Sequence, residues 1–466
     1  FSLLTPLAIN NYDSTFMDTY YSKKGPRVLA LRKFGIATGS VNRDLQIRGY
    51  IYEVAIGIAA EDGDGKGDVT IGEGMQSKFQ PVYKLRKVRE KQGANRKMVT
   101  VYNADIDVYL EVGFIYKSIT QSEYQKIVAW QNETGIQVLY PLIENNDYCA
   151  DTSDANYWFK STAKGDPIQI QDGEEVKIDV SDLDEDIALE DNYMRDENGN
   201  AVYYRYTGGG DASTAQYKVR ILYYNYYIYQ NGFEPNYLLG TETQGYDMAL
   251  RLADGIRLSL LVALSVSIIN MIIGCIYGAI EGYYGGTTDL IMERIADVLA
   301  YIPFMVVMTL FQIHLAKKLG PIVSLLLAYV ITGWIGYASL VRTQFYRFKN
   351  QEYVMSARTL GASDMRIITR HIFPNAIGTM ITSCALSIPG VIGSESMLSY
   401  LGIVNLGGTK TTSLGTLLAD ARPVWTNYPH LLLFPALILS LMMICFNLFG
   451  NGLRDAFNPS LRGTED

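Results

Sequence analysis

Few side chains in this sequence of 466 residues stand at spacings that could do chemistry. His314, His371 and His430 have no cysteine or carboxylate at ligand spacing, so ordinary packing accounts for each better than a metal-ligand role. Gly407-Gly-Thr-Lys-Thr411 has the composition of a phosphate loop but not its Gly-x-x-x-x-Gly-Lys-Ser/Thr spacing, in which successive backbone N–H groups cradle phosphate. The chain therefore has no means of hydrolysing a nucleotide itself, and neither catalytic residues nor a resident cofactor are expected. The stretch Asp62–Glu73 is sharper. It offers Asp62, Asp64, Asp68 and Glu73 as oxygen ligands and fits a calcium loop at positions one, three, six and twelve. Lys66 stands at the fifth position, where an oxygen belongs, and no strong helix flanks it, so a solvated glycine-rich hairpin tip is the better reading. Cys275, Cys384 and Cys445 lie in apolar stretches, and Cys149 has no partner in the first half of the chain for a disulfide.

A mechanical element stands out more than a chemical one. Residues 351–375 contain Glu352-Tyr-Val-Met-Ser-Ala-Arg-Thr-Leu-Gly-Ala-Ser-Asp364, read as two short helices in one loop. Glu352–Leu360 forms the first, and Gly361 permits a backbone turn that other residues resist. Ser363 is placed as the N-cap of the second, with Asp364 favourable at its positive end, and Phe373-Pro374 should end it. Ser356, Ala357, Gly361 and Ala362 give a low-relief surface that suits a partner's groove; an amphipathic loop lying on lipid headgroups explains the same residues.

The elements that position this loop follow from charge. Residues 1–236 carry 25 Lys+Arg and 34 Asp+Glu, whereas 237–466 carry 15 and 14, so the net charge of −8 hides two halves built for different solvents. No basic surface of the kind nucleic acid requires is present, and composition also excludes a collagen, a coiled coil and a disulfide framework. Five stretches approach the ~20 apolar residues that cross a bilayer: Ile256–Ile280, Ile295–Ala316, Pro321–Val341, Ala376–Ser394 and His430–Phe449. Arg342, Arg347, Lys349, Arg358, Arg366 and Arg370 make the loop between the third and fourth cytoplasmic by the positive-inside rule, and Arg454 and Arg462 place the C-terminus on that side. Lys317 and Lys318 are minor violations. Residues 13–236 are then extracytoplasmic. The apolar Phe1–Ile9 reads as the end of an earlier span, with a start after signal-peptide removal as the alternative.

The loop resembles the EAA coupling loop of type I ABC importer permeases, and in particular the C-type permease subunit of bacterial oligopeptide/dipeptide importers. Leu239-Gly-Thr-Glu-Thr-Gln-Gly-Tyr-Asp247, Ser396-Met-Leu-Ser-Tyr-Leu-Gly402, Phe446-Asn-Leu-Phe-Gly-Asn-Gly-Leu-Arg-Asp-Ala-Phe-Asn-Pro459 and Leu4-Thr-Pro-Leu-Ala-Ile-Asn-Asn-Tyr-Asp13 are similar to further elements of that family. The resemblance runs nearly continuously from 237 to 462. It implies an α-helical membrane permease of six spans, the first mostly missing here, divided as 1–12 (end of that span and outer link), 13–236 (outer domain) and 237–462 (permease). It implies a cell-membrane importer subunit forming half of a translocation pathway, and as partners a homologous permease subunit, two cytoplasmic ATPases that bind ATP-Mg, an extracytoplasmic peptide-binding protein, a peptide and membrane lipid. Carried over by position, Glu352, Ala357, Arg358, Gly361, Ala362, Ser363 and Asp364 would contact the ATPase or shape the loop. Met355-Ser356 departs from the Glu-Ala that names the motif, and Tyr246 replaces an arginine. Nickel or another small solute is the alternative cargo. A membrane-anchored receptor or adhesin is the alternative function; an intramembrane protease is disfavoured, since the spans lack a Ser/His or paired-Asp arrangement.

Residues 13–236 have no counterpart in that family pattern. Runs rich in β-branched and aromatic residues predict strands at Val99–Tyr109, Ile136–Leu142, Val202–Tyr206 and Gln216–Tyr229, with helices at Thr120–Asn132 and Tyr83–Gln92. The expectation is a β-rich α+β domain. Asp179–Asp191 reads as a solvated acidic loop.

Overall fold

A computed structural model describes residues 17–32, 36–45, 67–71, 78–92, 97–109, 112–143, 168–171, 174–177, 193–209, 214–408 and 411–457. The described chain divides between Asp247 and Met248 into two compact units. Asp62, Asp64, Glu73, Cys149, 179–191 and the apolar N-terminal stretch fall outside the described residues; Asp68 falls in a strand.

In the first unit, β1 (Ser40–Leu45), β2 (Gly67–Ile71), β3 (Lys78–Gln92) and β4 (Lys97–Asp107) form an antiparallel sheet in the order β1-β4-β3-β2. Tyr83–Gln92, predicted as helix, is therefore strand. The pairing of β3 with β4 supplies long-range hydrogen bonds that override a weak local helical pattern. A second sheet pairs β5 (Phe114–Thr120) and β6 (Leu139–Tyr140) with β10 (Gln216–Leu222), and β9 (Tyr204–Gly208) pairs with β10 as well. β7 (Ile168–Gln171) and β8 (Glu174–Lys177) pair with each other.

Helix α1 (Gln121–Thr134) begins where the Thr120 hydroxyl accepts from the Glu123 N–H at 3.1 Å, and ends at Gly135 with φ +70°. Ile127 packs with Ile119, Val219 and Ile221 in the core. Residues 223–229, predicted as the continuation of a strand, lie in helix α2 (Tyr223–Asn231). Tyr223, Tyr226 and Tyr227 recur at helical spacing and are all buried, so packing decides where aromatic β-propensity misled. The Tyr223 hydroxyl donates to buried Asp18 at 2.6 Å, and burial raises that carboxyl above its ordinary range despite the bond. Burial also pushes the Tyr226 and Tyr227 hydroxyls up to about 12. Residues 237–247 belong to this unit: Lys24 and Thr241 exchange hydrogen bonds, and Tyr246 is 2% exposed.

The second unit is helical: α3 (Met248–Tyr284), α4 (Gly286–Ala300), α5 (Phe304–Leu319), α6 (Pro321–Thr332), α7 (Ile335–Phe348), α8 (Glu352–Thr359), α9 (Asp364–Ile367), α10 (Phe373–Tyr400), α11 (Leu414–Ala421) and α12 (Pro429–Ala456). Among the described residues, four helical stretches are long and apolar enough to cross a membrane: Met248–Tyr284, Pro321–Phe348, Asp364–Tyr400 and Pro429–Ala456. The predicted second span is broken. α4 and α5 meet at a 70° bend around Tyr301–Pro303, where proline removes a backbone donor, and the pair makes a fifth span if counted together. At 37 residues, α3 is about 55 Å long and exceeds the ~30 Å hydrocarbon core, so it projects beyond it.

Inside the bundle the polar side chains pair across helices, as lipid demands. The hydroxyls of Tyr337 and Ser387 lie 2.5 Å apart, and Ser387 donates to Ser267 at 3.0 Å. Glu395 accepts from Ser259 at 3.1 Å and Ser399 at 3.0 Å. Helices α3 and α7 meet at a stripe of Gly274, Gly278 and Gly282; a Cβ on Gly278 would lie 2.2 Å from the Ala338 carbonyl oxygen.

Candidate functional site

The loop after α7 is built as an inward-facing apolar seam under an exposed ridge. Val354 of α8, Ile367 of α9 and Ile372 are fully buried against Val341 and Phe345 of α7, Cys275 and Ala279 of α3, and Ala376 and Met380 of α10. This seam fixes the loop to three membrane helices at once; burying each such side chain stabilises by roughly 1.5–3 kcal/mol. Above it, Leu360 is 88% exposed, Met365 69% and Met355 58%. Between α8 and α9 the backbone turns through Gly361 at φ +83°, with the Gly361 N–H on the Arg358 carbonyl at 3.0 Å and the Ala362 N–H on the Ala357 carbonyl at 3.1 Å.

Of the positions singled out in the sequence, Glu352, Arg358, Gly361, Ser363 and Asp364 are exposed on the loop, and Ala357 and Ala362 are half-buried beneath it. Ser363 occupies the N-cap position of α9, but its side chain makes no capping bond, contrary to expectation. Asp364 is drawn off by a residue the motif does not contain. The Tyr283 hydroxyl, at the end of α3, donates to Asp364 Oδ1 at 2.6 Å. Arg358 donates to the same Tyr283 oxygen at 3.4 Å and lies 5.7 Å from its ring centre. Tyr283 thus ties both loop helices to α3. Its one sequence signal was an aromatic pair, Tyr283-Tyr284, at the end of an apolar run.

The expected stop at Phe373-Pro374 does not occur. Residues Ile368–Ile372 form a widened turn in which the Phe373 N–H reaches the Ile368 carbonyl, and the helix continues through Pro374 into α10. The shifted hydrogen-bond register accommodates the donor that proline lacks. Asp364 to Tyr400 is consequently one continuous helical stretch, and the second loop helix is the end of a span.

The first loop helix is anchored through α7. Lys349 donates to the Gly282 carbonyl at 2.8 Å and lies 4.1 Å from the Tyr346 ring centre, and burial lowers its ammonium below the ordinary lysine value. The Asn375 amide donates to the Tyr353 hydroxyl at 3.3 Å. Among the described residues no three His, Cys, Asp or Glu side chains converge as a metal site. The loop holds no nucleophile paired with a base. What the geometry shows is a rigid connection: the buried seam joins the ridge to the ends of α3, α7 and α10.

Residues 270–463 match a family described as binding-protein-dependent transport system inner membrane component. The chain is 42% identical to the oligopeptide transport system permease protein OppC of Bacillus subtilis, over 48% of this chain and 72% of that one. It is 40% identical to the protein of the same name from Haemophilus influenzae, over 49% and 72%. It is 36% identical to the dipeptide transport system permease protein DppC of Lactococcus lactis, over 49% and 65%. Among solved structures, a chain of the inward-facing MetNI methionine ABC transporter is similar at 14% identity and a TM-score of 0.38, over 45% of this chain and 98% of that one.

Proposed function

Since the chain belongs to the binding-protein-dependent inner-membrane transport components, a family of multi-pass permeases, we propose that it is the C-type permease subunit of an ATP-driven importer of oligopeptides or dipeptides. Its loop at 351–375 is the docking element for a cytoplasmic ATPase. The observation that carries this is the union of an exposed apolar ridge with a seam that joins it to three spans. A loop that only rested on lipid would need the ridge but not the seam.

In the proposed cycle an extracytoplasmic protein delivers peptide to a pathway formed with a homologous permease subunit. Closure of two ATPases around ATP-Mg pushes the Leu360–Met365 ridge, and the continuous stretch from Asp364 carries that motion into the bilayer. Hydrolysis resets it. No covalent chemistry on the peptide is involved. Residues 13–236 stand on the outer side in this arrangement, where the binding protein or the sister permease is met. The curated names of the relatives favour peptides over nickel.

The test is co-purification. Leu360→Asp and Met365→Asp lie outside the buried seam, so the permease should fold normally yet lose its ATPases and all uptake of radiolabelled peptide. Normal uptake by both variants would remove the coupling role, and recovery of the wild-type chain with no ATPase would favour an anchored receptor.

A further inference from the structure

One guanidinium ties the broken span to the loop. Arg342 of α7 donates through Nε and Nη2 to the two oxygens of Asp289 at 2.6 and 2.9 Å, and through Nη1 and Nη2 to those of Glu293 at 2.7 and 3.0 Å. Both acids belong to α4. Buried Glu281 of α3 lies 3.8 Å from Nε, and the Tyr346 hydroxyl donates to Asp289 at 2.5 Å. Little else fastens α4. Ala296 is the one buried residue of that helix, packed with Trp334 and Ala338, and the Tyr277 hydroxyl donates to the Met292 carbonyl at 2.7 Å. Leu290, Ile291, Ile295 and Val298 are exposed.

Such a partly exposed cluster is a modest device for stability, since solvent screens its charges. Two bidentate pairs on one planar guanidinium do something packing does not: they fix the register of α4 on α7 in both rotation and translation. Helix α7 runs directly into the loop, while the far end of α4 is the 70° bend at Tyr301–Pro303. We propose that Arg342 is a positioning residue for coupling: it locks α4 to α7 as one lever, so that displacement of the loop is delivered to the bend, which acts as the hinge of the span. This rests on the coupling role of the loop proposed above. The lock is ionic and lies at the end of the bundle that carries the loop. Helices α4 and α7 then move as one body, and α5 turns against them at the bend.

The test uses the complete transporter in lipid vesicles: both permeases, the ATPases and the binding protein. Arg342→Lys keeps the charge but not the two bidentate pairs, and should raise ATP hydrolysed per peptide transported about tenfold while the complex still assembles. Gly361→Trp is run beside it. If Gly361→Trp uncouples and Arg342→Lys keeps the wild-type ratio, the lever is refuted and the loop reading stands; if neither uncouples, both fall. A second measurement leaves the clamp intact, so it does not depend on the variant folding. In a background with Cys149 and Cys445 replaced by serine, spin labels at Leu290→Cys and Thr343→Cys should keep their separation through the ATP cycle. Labels at Val298→Cys and Leu310→Cys should change theirs. A change between the first pair as large as that between the second overturns the proposal.

Discussion

Substituting Gly361 separates what the chain needs from what a partner needs. The residue sits at φ +83°, and a Cβ built there meets nothing within 4 Å. Any L-residue therefore suffers the left-handed backbone cost, roughly 1–2 kcal/mol, and no clash within the chain. For a unit of this size each kcal/mol lowers the melting temperature by about 2–4 °C, so Gly361→Ala should melt roughly 2–8 °C early. Gly361→Trp should melt at nearly the same temperature as Gly361→Ala, because the added ring has open space on its own chain. Function should split them. A closely packed partner surface loses about 1–3 kcal/mol to an inserted bulky group, weakening docking roughly 5- to 150-fold. The assay is thermal melting of the purified permease in detergent, paired with ATPase recruitment measured by titration. Gly361→Asn, which tolerates this backbone region, should melt closest to wild type. Equal recruitment by Gly361→Trp and Gly361→Ala would refute the reasoning, since the space above the glycine would then be empty in the complex too.

Three other outcomes follow. Gly278→Ala places a methyl 2.2 Å from the Ala338 oxygen and should lower the melting temperature by forcing α3 from α7, at about 1–3 kcal/mol or more; Gly336→Ala, with nothing within 4 Å, should not. Tyr283→Phe keeps the ring but removes the hydroxyl between Asp364 and Arg358, costing about 1 kcal/mol; ATP hydrolysis should become less responsive to peptide, read as the ratio of stimulated to basal rate. Tyr226 and Tyr227 are raised from an ordinary 10.0 to about 12, chiefly by burial. Their contribution to the stability of the first unit is full below pH 10 and is lost as pH climbs from 10 toward 12. The melting temperature of that unit, followed by circular dichroism, should therefore hold up to about pH 10 and fall between about pH 10 and 12, and a flat melting temperature across that range would contradict this.

The loop was legible because its pattern is local. Glycine at the turn, small residues beside it and a short helix from Glu352 all follow from backbone preferences within a dozen residues. Its anchoring was not. Tyr283 lies 81 residues from Asp364, and nothing in a linear pattern distinguishes it from its neighbour Tyr284. Pro374 misled for a related reason: proline breaks a regular α-helix, but a widened turn before it shifts the register and lets the span continue. Arg342 was visible only as one positive charge among six, whereas its two bidentate bonds depend on α4 folding back against α7. In the first unit the tyrosine-rich 223–229 segment read as strand by composition, and only burial of every third or fourth ring shows the helix. The bend at Tyr301–Pro303 was hidden inside a stretch apolar enough to pass as one span.

The most direct test of the central claim is a photo-crosslinker at Leu360, the most exposed large apolar side chain of the ridge, in whole cells. Illumination should yield one major adduct, with the cytoplasmic ATPase, and a membrane-impermeant thiol reagent applied outside should fail to reach Leu360→Cys. An intact transporter with no ATPase adduct, or labelling of that cysteine from outside, would contradict it.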